Sequence, residues 1–420
     1  MNVESARTSQ HRPTPAWWFL WLLIPSGICQ GFSTVALPYW LTQQGVPLQT
    51  VSTIVALWLL PYSCQPLLAL VGDLGPRRRS WFLASGLAAG GTLYVALQAL
   101  AQQKLPLLSA CMFALATSCA MADNALIALA ATTVRPQERG LSSGCLSAAQ
   151  LTWGGVLGWL MVTLRDRVGS SLGHGPALQA IAVGLCIALA AAALLSLAID
   201  EPCHAPLPLG PRLRLLFADV SRVLRSTPGW TSLIICLAPM GTTAAVPLFG
   251  ALAPEYHVGA SSVGVIIGIG VGAANAAGAM LAGIAADRIG ARRTCLAGAL
   301  SLGLCGLGMA LSPTLPSVFV AWCLAYGVCA GLVFAGFYAL VFDLLGPTSG
   351  VNTTVGVFMG ATNLSAFYVT LLNGRLYHAA GRVGLLLGDA GCNWVGLLLV
   401  VTLLRALDLR LRPRVESRTS

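Results

Sequence analysis

The stretch GIAADRIGARRT, from Gly283 to Thr294, sets three arginines and an aspartate between two long apolar runs. Charged residues make up only 9% of the 420-residue chain, so such a cluster is unusual for this sequence. A related stretch, LALVGDLGPRRRS, lies roughly half a chain length earlier and carries Asp73 where the later copy carries Asp287. Two similar stretches at this separation indicate an internal repeat.

The composition predicts an all-α polytopic membrane protein. Hydrophobic residues make up 56% of the chain and the mean hydropathy is +0.77, values that a water-soluble domain accommodates only with large exposed apolar patches. A helix needs about 20 mostly apolar residues to cross the hydrocarbon core. The sequence predicts twelve such spans, numbered 1 to 12 along the chain, at residues 17–40, 50–70, 81–100, 105–131, 141–163, 176–199, 228–253, 262–286, 294–312, 316–342, 350–372 and 384–404.

The positive charges predict the orientation of these spans. If the N-terminus is cytoplasmic, the loops place all but five of the 24 Lys and Arg residues on the inner side. The five outer residues are Lys104, Arg165, Arg167, Arg375 and Arg382. By the positive-inside rule, we expect both termini in the cytoplasm and the chain in the cytoplasmic membrane. The net charge of +10 does not indicate nucleic-acid binding, because the arginines lie in short connections and form no continuous basic face.

The longest polar connection predicts the domain organisation. Residues 200–227 contain four prolines, which disfavour a continuous helix. We therefore expect a cytoplasmic tail (1–16), a six-helix bundle (17–199), a cytoplasmic linker (200–227), a second six-helix bundle (228–404) and a C-terminal cytoplasmic tail (405–420). The first apolar run is too long for the core of a signal peptide, so we interpret it as a retained span.

Two six-helix halves, each with an Asp/Arg loop after its second span, resemble the major facilitator superfamily of secondary transporters. The second loop matches the signature of this family well, whereas the first copy keeps Asp73 but few of the other positions. The resemblance implies that the loop acts as a latch of one conformational state. The predicted latch residues are Asp73, Gly283, Asp287, Arg288, Arg292 and Arg293. We expect Gly283 to allow close approach of a neighbouring helix. The alternative is that the arginines only set the topology.

Several stretches are also similar to one branch of that family, the AmpG-like permeases for muropeptides, siderophores and acetyl-CoA. They include PRRRSWFLA at residues 76–84 and RPQERG at residues 135–140. The branch carries an acid in span 4 that falls on Asp123, and its frequent second acid falls on Ile127. This resemblance implies a small amphiphilic or peptide-like solute.

Asp123 is the only acid that we expect well inside a predicted span. An ionised carboxylate in hydrocarbon costs roughly 3 kcal/mol even on the mild insertion scale, so this side chain needs a partner or a watery cavity. Burial raises the pKa of a carboxyl group toward the working range, which suits a proton-coupling site. The alternative is a structural hydrogen bond to a neighbouring helix.

The resemblance further implies that spans 1, 4, 7 and 10 line the transport path. Near the middle of span 1, Gln30, Ser33 and Thr34 are candidate substrate-binding residues. The alternative for Gln30 is a structural hydrogen bond to a neighbouring helix. Weaker candidates for substrate binding in spans 8, 10 and 11 are Asn275, Tyr338, Asn363 and Tyr368. In span 7, Pro239, Gly241 and Pro247 predict a broken helix, which is either a gate or a static kink.

Residues and motifs that the sequence lacks limit the classes of solute and of function that we expect. No predicted span carries Lys or Arg away from its ends. This favours a neutral, zwitterionic or cationic solute, or an anion bound by dipoles alone, over a strongly anionic one. The sequence lacks a phosphate-binding P-loop and a recognisable nucleophile motif, so we expect neither an ATP motor nor an enzyme. We expect no cofactor, no metal and a monomeric protein that works with a small solute, protons and the lipid bilayer. The alternative to a proton-coupled transporter is a transporter-like assembly factor or sensor.

Overall fold

The structure is a computed structural model of the chain, and its regular secondary structure is helical. It describes residues 14–15, 17–65, 67–68, 77–134, 139–172, 174–199, 201, 210, 214, 218, 221, 225–345 and 351–411. No strand occurs in these residues. The predicted all-α class is therefore confirmed.

The helices follow the predicted spans. In chain order the α-helices are α1 (Trp18–Leu22), α2 (Ile24–Gly31), α3 (Leu37–Gln43), α4 (Leu48–Ser63), α5 (Arg78–Ala101), α6 (Leu105–Thr133), α7 (Arg139–Leu172), α8 (His174–Leu194), α9 (Thr227–Leu237), α10 (Val246–Leu252), α11 (Ala260–Val263), α12 (Val271–Ile289), α13 (Ala291–Leu311), α14 (Pro316–Leu345) and α15 (Val351–Leu411). π-Helical segments cover Phe32–Ala36 and Gly264–Gly270, and 3-10 helices cover Leu195–Ala198 and Ala253–Tyr256.

These helices are consistent with twelve membrane crossings. Eight segments within the described residues are long and apolar enough to cross a membrane, and Leu48–Ser63 is a shorter apolar helix. Helix α15 covers both span 11 and span 12. Its backbone leaves helical geometry at Ala380 and Gly381, between the two predicted spans.

The chain forms two compact units. The first unit comprises Met1–Phe32 and Cys64–Arg214, and the second comprises Ser33–Ser63 and Leu215–Ser420. The contacts thus assign α3 and α4 to the second unit, although both precede the central connection. The division into two six-helix bundles at residues 200–227 stays a prediction.

In the first unit, α2 and α7 approach each other through glycines. A Cβ on Gly27 would lie 2.3 Å from the Cβ of Trp153, and a Cβ on Gly31 would lie 2.5 Å from the carbonyl oxygen of Gly154. Only glycine allows the two backbones to pack this closely. The indole N–H of Trp153 also donates a hydrogen bond to the carbonyl of Leu20 at 2.7 Å, which holds α1 against the same helix.

In the second unit, α12 and α14 pack in the same way. A Cβ on Gly278 would lie 2.0 Å from the carbonyl oxygen of Val328, and a Cβ on Gly331 would lie 2.0 Å from the carbonyl oxygen of Asn275. The glycines therefore come from both helices. Packing of this kind needs no hydrophobic driving force, since it relies on van der Waals contact between closely spaced backbones.

Candidate functional site

The predicted proton-binding acid, Asp123, lies within α6 of the first unit. Its side chain is only 8% exposed and accepts a hydrogen bond from the hydroxyl group of Ser26 on α2. Ala122 and Leu126, beside it on α6, belong to the hydrophobic core of this unit. The Ser26 hydroxyl group is thus a neutral donor to this carboxyl group. This contact is compatible with a proton site and with a structural aspartate.

The candidate residues of span 1 fall in both units. Gln30 is half-buried in the first unit and packs against α7, where a Cβ on Gly154 would lie 3.1 Å from the Gln30 amide carbon. Ser33 and Thr34 follow in the π-helical turn, in the part of the chain that belongs to the second unit. Ser33 is fully buried and Thr34 is half-buried. Gln30 therefore shares its unit with Asp123, whereas Ser33 and Thr34 do not.

Span 7 is broken where its prolines and glycine predict. Helix α9 ends at Leu237 and α10 begins at Val246, with Pro239 and Gly241 between them. Gly241 has a φ of +71°, in the left-handed region that glycine enters without steric cost. The predicted break is confirmed, and its role as a gate stays a prediction.

A second buried acid, Asp389 in α15, lies in the second unit. It falls within predicted span 12, so the prediction that Asp123 is the only acid well inside a span is wrong. The Asp389 side chain is fully buried. Its Oδ2 accepts a hydrogen bond from the hydroxyl group of Tyr326 at 2.8 Å, and its Oδ1 accepts one from the amide of Asn373 at 3.1 Å. Both donors are neutral.

Asn393 connects this acid to the break in span 7. Its amide nitrogen donates to the Asp389 carbonyl at 2.9 Å and lies 3.5 Å from Oδ2, while its Oδ1 accepts a hydrogen bond from the Gly241 N–H at 2.7 Å. On the other side of the break, the hydroxyl group of Tyr368 donates to the Leu237 carbonyl at 2.6 Å. The predicted substrate-binding residue Tyr368 therefore holds the end of α9.

The weaker substrate-binding candidates are dispersed over α12, α14 and α15. Asn275 and Asn363 are half-buried, and Tyr338 has a side chain outside the described residues. The carbonyl oxygen of Asn275 packs against Gly331 of α14. A role in substrate binding stays a prediction for all three.

The structure corrects one part of the predicted latch. Gly283 is exposed, and a Cβ at this position would meet nothing within 4 Å among the described residues, so the close helix approach predicted there is wrong. In α12 the close contact with a neighbouring helix occurs at Gly278 instead. Asp287 lies near the end of α12, and Gly290 ends that helix with a φ of +87°.

The charged latch residues are only partly described. Arg288 and Arg293 are exposed and Arg292 is half-buried. Asp73 and the side chain of Asp287 lie outside the described residues. The latch function of these residues therefore stays a prediction.

Glu201 is a functional candidate that the sequence reasoning missed. Its buried carboxylate accepts hydrogen bonds from the backbone N–H groups of Arg78 at 2.8 Å and Arg79 at 3.0 Å, in the first turn of α5. An anion at this position satisfies two orphan donors and interacts favourably with the helix dipole. The signal in the sequence was the pair of acids Asp200 and Glu201 directly after span 6, in a chain with few acids.

Arg382, one of the five arginines and lysines predicted outside, has a structural role in the second unit. Its Nη1 donates to the Tyr256 hydroxyl at 2.8 Å and to the carbonyls of Ser312 at 3.2 Å and Met309 at 3.4 Å. These carbonyls close the C-terminal end of α13, where a cation is favourable. Burial raises the pKa of Tyr256 while Arg382 opposes this shift, so the phenol stays neutral and donates to Met309 O.

The described residues contain no candidate metal site. They contain no group of three or more His, Cys, Asp or Glu side chains arranged to hold a metal ion. The cysteines among them form no disulfide bond.

Comparison with known proteins identifies the family. The sequence model of the Major Facilitator Superfamily matches residues 19–370 and 231–419. No curated protein matches the sequence significantly. Among solved structures, a D-xylose-proton symporter is similar at 14% identity and a TM-score of 0.69, over 92% of this chain and 96% of its own. The nucleoside transporter NupG is similar at 12% identity and a TM-score of 0.68, over 93% of this chain and 99% of its own. Because the family model covers most of the sequence, this chain belongs to the major facilitator superfamily and is a multi-pass membrane transporter.

Proposed function

We propose that this protein is a proton-coupled secondary transporter that moves a small amphiphilic or peptide-like solute, of siderophore or muropeptide type, across the cytoplasmic membrane by alternating access. The observation that carries the proposal is the buried carboxyl group of Asp123 inside α6, hydrogen-bonded to Ser26. A buried carboxyl group is costly in a membrane and is a functional-site candidate by default.

The solute class follows from the charges of the spans and from the similarity to AmpG-like permeases. The sequence provides no Lys or Arg in the middle of a predicted span to bind a strongly anionic solute. Gln30 in the first unit provides amide groups that bind hydroxyl and peptide groups equally well. Ser33, Thr34, Asn275, Tyr338, Asn363 and Tyr368 complete the proposed substrate-binding set.

The cytoplasmic loop after α12 serves as the conformational latch in this proposal. Asp287 together with Arg288, Arg292 and Arg293 stabilises one of the two access states, and Asp73 does the same in the first copy. The positive charges of these loops place both termini in the cytoplasm. The protein works as a monomer and requires no cofactor.

The test compares Asp123→Asn with Asp123→Ala in proteoliposomes that carry a pH gradient, with a panel of candidate solutes. If Asp123 exchanges protons, the Asn variant loses uphill accumulation but keeps downhill exchange, because it retains the size and hydrogen-bonding capacity of Asp without a titrating group. The Ser26→Ala variant is the matched control. It removes the hydroxyl donor and keeps the acid, so gradient-driven uptake should persist.

A structural aspartate gives the opposite pattern. Asn then replaces the hydrogen bond and supports full uptake, whereas Ala leaves a partner unsatisfied and lowers the amount of folded protein. Full gradient-driven uptake by Asp123→Asn at a normal protein level would refute the proton site. Absence of uptake of every tested solute by the wild-type protein would favour a non-transporting assembly factor or sensor.

A further inference from the structure

The strongest unassigned feature of the second unit is the polar network around Asp389. The acid is fully buried in α15, and its two carboxyl oxygens accept hydrogen bonds from the Tyr326 hydroxyl at 2.8 Å and the Asn373 amide at 3.1 Å. Asn373 and Asn393 are fully buried as well. An ionised carboxylate in this position has only neutral donors, which is costly in a membrane interior.

The surrounding titratable groups provide no cation. The nearest are the phenol of Tyr326 on α14 and the thiol of Cys392 on α15, followed by the thiols of Cys305 on α13 and Cys329 on α14 beyond Tyr326. None of these side chains carries a positive charge at any pH. Within the described residues, Asp389 therefore has no ion pair that would keep it ionised.

The Asn373 amide beside Asp389 can form a second hydrogen-bonding arrangement. Oδ1 of Asn373 is buried and has no hydrogen-bond partner among the described residues, although Nδ2 of the same amide donates to Asp389 Oδ1. Rotation of this amide by about half a turn exchanges its donor and acceptor, since the two ends differ little in size. A protonated Asp389 would then donate from Oδ1 to Asn373 Oδ1. The same neighbour thus provides a partner for both protonation states.

The network also contacts the break in span 7. Asn393 Oδ1 accepts the Gly241 N–H at 2.7 Å, and its Nδ2 donates to the Asp389 carbonyl and approaches Oδ2. One turn further on, a Cβ on Gly396 would lie 2.6 Å from the Met240 nitrogen, so α15 packs directly against the irregular backbone. The Asn393 amide therefore contacts Asp389 through Nδ2 and the backbone of the break through Oδ1. Its orientation depends on both contacts.

We propose that Asp389 is a proton-binding site of the second unit and that its protonation releases the Gly241 N–H at the break in span 7. This inference deepens the proposed proton coupling and rests on it. A proton from water binds to Oδ1 of the carboxylate, which becomes neutral. Asn373 then rotates to accept that proton in a hydrogen bond. The neutral acid attracts the Asn393 amide nitrogen less strongly, so Asn393 holds Gly241 less firmly.

Hydrogen–deuterium exchange of the full-length protein in lipid nanodiscs tests this coupling without any solute. The measured quantity is the protection factor of a peptide that covers residues 238–245, over a pH series and corrected for the intrinsic exchange rate. The Gly241 N–H donates to a neutral amide oxygen, and loss of such a hydrogen bond corresponds to roughly a two- to tenfold fall in protection on acidification. In Asp389→Asn the protection factor should be independent of pH. In Asn393→Ala it should be low at every pH.

One control variant separates this inference from the function proposed above. Asp123→Asn lies in the first unit and should keep the wild-type pH profile of the 238–245 peptide. Because no transport is measured, a failure to find a solute leaves this test intact. A pH profile that is flat in the wild type, or equal in wild type and Asp389→Asn, would overturn the inference. A profile that follows the sodium concentration at fixed pH would overturn the assignment to protons.

A second measurement applies if Asp389→Asn does not insert stably. The pH-difference infrared spectrum of the wild type should contain a carbonyl band of a protonated carboxyl group. This band should change frequency in Tyr326→Phe, which removes one hydrogen-bond donor and leaves the acid in place. An unchanged set of carboxyl bands in that variant would show that Asp389 does not bind a proton in this pH range.

Discussion

Replacing Gly331 with Ala tests whether close backbone contact holds α12 and α14 together. The new Cβ would lie 2.0 Å from the carbonyl oxygen of Asn275 and 2.6 Å from the nitrogen of Ala279. Both atoms belong to the backbone of α12, so no side-chain rotation relieves the overlap and the helices must separate. Overpacking of this kind costs about 1–3 kcal/mol.

Gly283→Ala is the matched control on α12. Both substitutions replace a helical glycine with alanine and gain the same helix propensity, about 1 kcal/mol in favour of Ala. A Cβ on Gly283 meets nothing within 4 Å among the described residues, so only the propensity gain applies there. The difference between the two variants therefore isolates the packing cost and should be about 1–3 kcal/mol.

The assay is reversible unfolding in mixed detergent micelles, followed by loss of helical signal. The Gly331→Ala midpoint should fall below that of Gly283→Ala, whereas Gly283→Ala should equal or exceed the wild type. Equal midpoints for the two alanine variants would refute the close packing. A Gly283→Ala variant that is the less stable of the two would show that the loop signature needs its glycine for packing after all.

Two further predictions concern charged residues. Glu201→Ala leaves the N–H groups of Arg78 and Arg79 without acceptors and should destabilise the protein by about 1–2 kcal/mol, whereas Glu201→Gln keeps one acceptor and should cost less. Equal unfolding midpoints for wild type and Glu201→Ala would contradict this. Arg382→Lys cannot bridge the Tyr256 hydroxyl and two carbonyls at once and should lower the thermal midpoint. An unchanged midpoint would show that the hydrogen bonds of Arg382 do not contribute to the stability of the protein.

The sequence predicted the spans well because the membrane imposes a simple rule. Each crossing needs a long apolar helix whose backbone groups are satisfied internally, and this appears directly as apolar runs between polar connections. The break in span 7 could also be predicted from the sequence, since proline and glycine act locally on the backbone. Hydropathy and the local effects of proline and glycine therefore predicted the helices and the break in span 7.

Contacts between helices were harder to predict. Close approach depends on which face of a helix points toward its neighbour, and 46 glycines in the chain leave this open. The family signature suggested Gly283, whereas the structure places close contacts at Gly27, Gly278 and Gly331. The four-residue spacing of Gly27 and Gly31 was the available signal for the contact between α2 and α7.

Asp389 was missed for a similar reason. It lies within predicted span 12, but its hydrogen-bond partners Tyr326 and Asn373 are distant from it in sequence. Tyr326 lies in span 10, and Asn373 directly follows span 11. A carboxyl group and two amides, Asn373 and Asn393, within so apolar a stretch were the available signal. Only the packing of α14 against α15 shows that these groups share hydrogen bonds.

The two buried acids differ in a way that bears on coupling. Asp123 has a hydroxyl donor from Ser26 and keeps 8% of its surface exposed, whereas Asp389 is fully buried and linked through Asn393 to an irregular backbone segment. A proton that drives accumulation must reach its site from one side of the membrane and leave toward the other, which favours the acid with some exposure. A proton that changes a conformational equilibrium needs a difference in contacts between two states. Asp389, with its rotatable amide and its link to Gly241, meets that second requirement within its own unit. If both proposals hold, Asp123→Asn abolishes accumulation and Asp389→Asn changes the pH dependence of the break, so the two variants separate the energy source from the conformational response.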